Sequence, residues 1–212
     1  MKKKLLIFDM DGVLFDSIGF AERFFLEKHT GVTKKMYREI HSGNYYEGAK
    51  KYDYLKTATT EDETNKEKIL YAKEKIKSPM FAGTKELLEE LHNLGYILIL
   101  NTSAYERNCL PLLEKVKIKE LFDFVAPAEV SKSKIEKFKL IEDKYNIGKE
   151  NILFITDALG DLREADEAGV PTITVTWGVH DKTYFNREIH NNLIGVADTV
   201  EELRNFILKN NI

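Results

Sequence analysis

Five short apolar runs rich in branched residues recur along the chain: Leu5 to Phe8, Ile97 to Leu100, Phe122 to Ala126, Ile152 to Ile155 and Thr172 to Val175. Runs of this length without polar alternation are what strands buried on both faces require. Between them the apolar period lengthens to that of a helix. In Thr84 to Leu94, residues Leu87, Leu88, Leu91 and Leu94 fall on one face, and Gly95 supplies the stop. Parallel strands need crossover connections, which are right-handed in nearly all cases, so the alternation predicts an α/β fold with an open, Rossmann-like parallel sheet covered by helices. A last helix is marked by Thr199 and Glu202 at capping-box spacing, ahead of an apolar face of Leu203, Phe206 and Ile207.

One region breaks this rhythm. From about Ser17 to Ser78 the pattern holds no convincing buried strand, only helical periodicity, aromatics and charge. The expected organisation is therefore an α/β core of residues 1–16 and 79–212, with a helical domain, 17–78, inserted after the first strand. Two chain crossings between them can serve as hinges. Asp16 and Ser17 stand where the first inserted helix begins, and Ser17 reads as its N-cap.

Composition narrows the classes. With 212 residues, the chain can build one sizeable core plus a smaller accessory domain. Its net charge of −3, with basic and acidic residues interspersed, provides no field for a polyanion, so nucleic acid is not an expected partner. Cys109 is the one cysteine, which excludes an intramolecular disulfide and fits a reducing compartment. The lysine-rich start is followed by an apolar run cut at once by Asp9 and Asp11, too short for an export signal, and no stretch reaches the ~18 apolar residues of a membrane span. A cytoplasmic protein is expected, monomeric because no apolar heptad stripe announces a partner.

The chemistry concentrates at strand ends. Asp9-Met10-Asp11-Gly12-Val13 puts two carboxylates just beyond the first buried strand, where open α/β sheets bind ligands. A second acidic pair, Asp157 and Asp161, follows the fourth. Isolated, an Asp-Gly pair is ordinary turn punctuation; two acidic pairs converging on one sheet edge instead suggest a divalent metal, since buried carboxylates need a compensating cation.

This arrangement resembles the haloacid dehalogenase superfamily, specifically its phosphatases with a helical cap inserted after the first motif, and the resemblance spans essentially the whole chain. It implies Asp9 as nucleophile and Asp11 as general acid/base, the latter arguing against the dehalogenase branch. It implies a Ser or Thr ending the second core strand, which counting from Gly95 gives as Thr102, with Asn101 and Ser103 close by. A lysine opening a later helix is either Lys134, nearer the apolar face of Phe138 and Ile141, or Lys132. In the fourth motif Asp157 binds the metal and Asp161 holds its waters or orients the lysine, with Thr156 standing where the family commonly has glycine.

The implied cofactor is Mg²⁺, held by Asp9, Asp157 and the Asp11 backbone carbonyl. The implied phosphate site comprises Thr102, Ser103, the lysine and amides near Gly12. A small phosphorylated molecule is the expected substrate, as in phosphoglycolate phosphatases. The rivals are a phosphomutase resembling β-phosphoglucomutase and a non-catalytic phosphate-binding member. Substrate choice is expected from the cap, where the His41-Ser42-Gly43-Asn44-Tyr45-Tyr46 segment makes Asn44 and Tyr45 candidates for a loop facing the site. A helix connection with a core aromatic is the favoured reading of that segment, by roughly two to one on loop priors. Trp177 and Gly178, after the fifth strand, border the site in similar proteins.

Overall fold

The computed structural model describes residues 4–55 and 60–209; residues 1–3, part of the lysine-rich start, lie outside them. The described elements are, in order, β1 Leu5–Phe8, α1 Ile18–Lys28, α2 Lys34–Ile40, α3 Tyr45–Lys50, α4 Glu61–Lys75, α5 Thr84–Asn93, β2 Ile97–Asn101, α6 Glu106–Lys115 and β3 Phe124–Ala126. They continue with α7 Lys134–Tyr145, β4 Ile152–Thr156, α8 Leu159–Ala168, β5 Thr172–Val175, α9 Lys182–Phe185, β6 Leu193–Ala197 and α10 Val200–Lys209.

The strands form one parallel sheet in the order β3-β2-β1-β4-β5-β6. The period-2 alternation of side chains divides the core cleanly. Leu6, Phe8, Leu98, Leu100, Leu153 and Ile155 pack on the face covered by α5, α6 and α10. Leu5, Ile7, Ile97, Ile99, Ile152 and Phe154 pack on the other, against Phe138 and Ile141 of α7 and Ala165 and Ala168 of α8. Both faces being covered, the central strands read as uninterrupted apolar runs.

β1 lies between β2 and β4, with Phe8 level with Leu100 on one side and Ile155 on the other. The chain order reverses across β1, and ligands of open α/β sheets bind in the crevice such a reversal leaves at the carboxyl edge. The same register brings the residues that follow these three strands to that crevice together.

Four expectations need correction. A sixth strand, β6, is present: it is a half-buried edge strand interrupted by Gly195, so it makes no continuous apolar run. A side chain at Gly195 would meet the Phe206 ring at 3.0 Å, which accounts for the glycine. β3 begins at Phe124 because Asp123 turns its carboxylate onto the Leu98 amide at 3.0 Å. Leu94 is 58% exposed, since α5 ends before it and Gly95, at φ +82°, turns the chain away. At the start of α10, Thr199 accepts from the Glu202 amide at 3.1 Å, but Glu202 reaches back to Asp198 rather than to Thr199.

Between β1 and α5 the described residues are helical, α1 to α4 plus a short 3₁₀ turn. They gather an apolar cluster of their own around Phe25, Val32, Tyr37 and Ile40. α4 starts with a full capping box between Thr60 and Glu63. This helical insertion sits over the carboxyl edge, tied down by Tyr46 Oη to the Ser103 carbonyl at 2.6 Å and the Gly160 amide to the His41 carbonyl at 2.8 Å. Among the described residues, no helix is long and apolar enough to cross a membrane.

Candidate active site

Asp9 follows β1 directly, its amide donating to the Ile155 carbonyl at 2.9 Å, so its backbone is fixed by the sheet before its side chain does anything. The residue is 8% exposed. Lys134, first residue of α7 and 2% exposed, reaches Asp9 Oδ1 at 3.0 Å, Asp161 Oδ2 at 2.6 Å and the Asn101 carbonyl at 3.1 Å. Lys132 is exposed and lies over the Tyr46 ring instead, 5.0 Å from its centroid. Of the two candidate lysines, Lys134 is the one in contact with Asp9.

Burial dominates the electrostatics here. It raises Asp9 from 3.8 to about 6, with Lys134 opposing and the charges of Asp161 and Asp11 adding. Asp157, 1% exposed, is pushed well above the usual carboxylate range by burial and by Asp9, despite a 2.7 Å hydrogen bond from the Val179 amide. Burial also works against the charge on Lys134, yet Asp161 and Asp9 together hold it above the ordinary lysine value.

Glycines frame Asp157. A Cβ on Gly12, whose φ is +76°, would come within 1.9 Å of Asp157 Oδ2, and one on Gly178 within 2.1 Å. The loop after β5 thus belongs to the site's frame, and Trp177 fastens it by donating from Nε1 to the Val13 carbonyl at 3.2 Å. Thr156, where the family commonly has glycine, is fully buried and donates to Asp161 Oδ2 at 2.9 Å. This hydroxyl and Lys134 fix Asp161 from two sides.

Asp11 is met from the helical insertion. Lys75, the last residue of α4 and 1% exposed, pairs with Asp11 Oδ1, and the Ser17 hydroxyl donates to the same oxygen. Ser17 makes no side-chain cap to α1, contrary to the sequence expectation, because its hydroxyl is engaged by Asp11. Asp16 is exposed.

The second-motif segment leaves β2 with Thr102 buried, its Oγ1 accepting from the Ala104 amide at 3.0 Å. Buried Lys137 braces this turn, donating to the carbonyls of Thr102 at 2.8 Å and Ala126 at 3.1 Å. Thr102 and Ser103 line a cavity of about 190 Å³ together with Asp9, Asp11, Asp157 and Asp161. Asn101 is fully buried and its carboxamide does not line this cavity.

Of the two specificity candidates, Tyr45 lines the cavity and Asn44 does not. Asn44 caps α3 through its Oδ1 and donates from Nδ2 to the Lys132 carbonyl at 2.9 Å, so it positions the insertion. The segment is therefore both a helix connection and a wall of the site. Tyr37, His41, Tyr46, Tyr71, Tyr105 and Asn108 also face the cavity. His41 and Tyr46 belong to the segment that the sequence offered as a loop facing the site; nothing in the local sequence marked Tyr37, Tyr71, Tyr105, Asn108 or Lys75 out from other polar residues, aromatics and lysines. His180 bridges core and insertion, accepting at Nδ1 from the Leu159 amide at 2.9 Å and donating at Nε2 to the Arg38 carbonyl at 3.0 Å.

The family model for haloacid dehalogenase-like hydrolases matches residues 6–175, and the chain belongs to that family. A phosphoglycolate phosphatase from Nitrosospira multiformis is 25% identical over 201 residues, covering 84% of this chain and 85% of that protein. The crystal structure of a predicted phosphoglycolate phosphatase from Haemophilus somnus matches with a TM-score of 0.74 at 22% identity, over 100% of this chain and 99% of the other. CbbY from Rhodobacter sphaeroides in complex with phosphate matches with a TM-score of 0.75 at 19% identity, over 95% and 96%. The protein is a hydrolase of this family, of its phosphatase type.

Proposed function

We propose that the protein is a Mg²⁺-dependent phosphatase that hydrolyses a small phosphorylated metabolite through an aspartyl-phosphate on Asp9, in the cytoplasm, with residues 17–78 as a cap over a core of 1–16 and 79–212. The observation that carries this reading is a buried Asp9 at the carboxyl end of β1, beside buried Asp157 and against Lys134 Nζ at 3.0 Å. A phosphate monoester repels an anionic nucleophile unless its charge is compensated, and the site supplies candidates for that compensation.

Among the described residues, no three His, Cys, Asp or Glu side chains converge as metal ligands. That fits Mg²⁺ better than a metal that needs a closed protein cage, because Mg²⁺ keeps several waters and takes one or two carboxylates. Asp9 and Asp157, both raised by burial, would be the two carboxylates, and the Asp11 carbonyl would be the third protein donor. Bound there, the ion would offset the charge that phosphate and carboxylates share.

In the first transfer an Asp9 oxygen attacks phosphorus and the bond to the leaving oxygen breaks, with Asp11 donating its proton to the departing alcohol. In the second, Asp11 takes a proton from the water that attacks the phosphoaspartate, and inorganic phosphate leaves with Asp9 restored. Thr102, Ser103, Lys134 and the Gly12 amide hold the phosphoryl oxygens in both. Lys75 and Ser17 engage Asp11 at Oδ1, which leaves Oδ2 for proton transfer.

Chelated protein is expected to be inert towards p-nitrophenyl phosphate and to regain turnover on adding Mg²⁺; equal turnover with and without chelator would contradict the reading. Mg²⁺ binds the ionised form of Asp9, whose metal-free pKa lies at about 6, above its ordinary 3.8. Protons therefore compete increasingly below that value, and the Mg²⁺ concentration for half-maximal activity is expected to rise as pH falls through about 6.

A further inference from the structure

Much of the cavity wall is made of rings. Tyr37, His41, Tyr45, Tyr46 and Tyr105 follow one another with centroids 5.0, 5.2, 5.6 and 6.4 Å apart, forming a continuous aromatic rim, and Tyr71 lines the same space. Burial keeps these groups neutral: it pulls His41 down to about 4 and raises Tyr45, Tyr46 and Tyr71 above the ordinary phenol value. Among the described residues, the lining contains four carboxylates and no lysine or arginine.

The nearby cations are committed elsewhere. Lys134 serves Asp9 and Asp161, and Lys75 serves Asp11. Lys132 and Arg107 stand over the rings of Tyr46 and Tyr105, 5.0 and 4.6 Å from the centroids, and neither lines the cavity. A leaving group with a carboxylate or a second phosphate would be desolvated among like charges with no positive partner, which is the costly case for a buried ion.

Two residues of the lining each carry an unpartnered polar atom that points to what belongs there instead. His41 Nε2 and Asn108 Oδ1 are both buried and have no hydrogen-bond partner among the described residues. Asn108 Oδ1 can only accept, so its complement is an O–H or N–H of the ligand. Aromatic rings lining the cavity, with two neutral hydrogen-bonding groups among the lining residues, suit an uncharged, hydroxyl- or amide-bearing ring.

We propose that the substrate is a phosphate monoester of an uncharged, ring-bearing alcohol with hydrogen-bond donors, the chemistry of a nucleoside 5′-monophosphate, received on the rim of Tyr37, His41, Tyr45, Tyr46 and Tyr105. This rests on the phosphatase reading and goes beyond it by excluding esters whose alcohol carries its own anion. The test compares kcat/KM, at one saturating Mg²⁺ concentration, for a panel of nucleoside 5′-monophosphates, 2-phosphoglycolate, 3-phosphoglycerate and acetyl phosphate.

The best nucleotide is expected to exceed both carboxylate-bearing esters by at least about tenfold, the scale of one or two ring contacts. Tyr45→Ala and His41→Ala should each lower the ratio of nucleotide to acetyl phosphate kcat/KM by about the same factor, and Tyr71→Arg should raise turnover of 2-phosphoglycolate relative to the nucleotide. A preference for either carboxylate-bearing ester, or a nucleotide ratio unmoved by loss of Tyr45 and of His41, would overturn the inference while leaving the phosphatase reading intact. Silence on every phosphorylated compound of the panel, the acyl phosphate included, in protein shown to be folded would overturn both.

Discussion

Replacing Asp9 with asparagine is expected to lower kcat on p-nitrophenyl phosphate by at least about 10⁴-fold without unfolding the protein. The amide carries no charge with which to attack phosphorus, and the substitution also removes one of the two buried carboxylates proposed to hold Mg²⁺. Folding should survive for an electrostatic reason. Burial already raises Asp9 to about 6, so the ionised group is a burden on the metal-free fold at neutral pH, and the amide relieves it. Lys134 keeps Asp161 at 2.6 Å and the Asn101 carbonyl at 3.1 Å, so its own charge stays compensated. The metal-free variant should melt no lower than the metal-free parent in a thermal scan, and a kinetic collapse with unchanged melting separates chemistry from stability.

Lys75→Met should cost about 10²-fold in kcat/KM for an alkyl phosphate, within the range of a general acid. Lys75 brings the helical insertion into direct contact with Asp11, and with Ser17 it fixes Oδ1 of the residue we propose as the acid for the leaving oxygen. Methionine keeps most of the volume in a position that is 1% exposed, so the fold should tolerate it. The discriminating readout is the leaving group. p-Nitrophenolate departs with little protonation, so kcat/KM for its ester, which reports the first transfer, should fall much less than for the alkyl ester. Lys75→Arg should restore part of the loss. A uniform loss across both esters would make Lys75 a structural residue instead.

What could be read from the sequence follows from how locally each feature is determined. The central strands announce themselves because both faces are covered, so Leu5–Phe8 and Ile152–Thr156 are continuous apolar runs. The acids that follow them stand out because a carboxylate directly after such a run has no local reason to be there. β6 escaped notice because an edge strand with Gly195 in it carries neither signal.

Lys75 is one of several lysines in a strongly charged helix, and what separates it from Lys73 and Lys77 is burial against Asp11, a contact spanning 64 residues of chain. Ser17 has the position of an N-cap, yet a carboxylate brought close by the turn after β1 competes successfully for its hydroxyl. Asn44 and Tyr45 are neighbours, but one caps α3 and the other faces the cavity, a division that depends on how the insertion lies on the core. The aromatic rim is likewise assembled from α2, α3 and the α2–α3 and β2–α6 connections, and no one segment contains its pattern.

The central claim is that Asp9 becomes covalently phosphorylated, and it can be tested directly by mixing the Mg²⁺-loaded protein with acetyl phosphate, quenching in acid within the first turnovers, digesting, and mapping the phosphoryl group by mass. The account predicts one phosphoryl group on the peptide containing Asp9, labile to hydroxylamine and absent from Asp9→Asn. A phosphoryl group on another residue, or active turnover with no covalent adduct at any quench time, would contradict it.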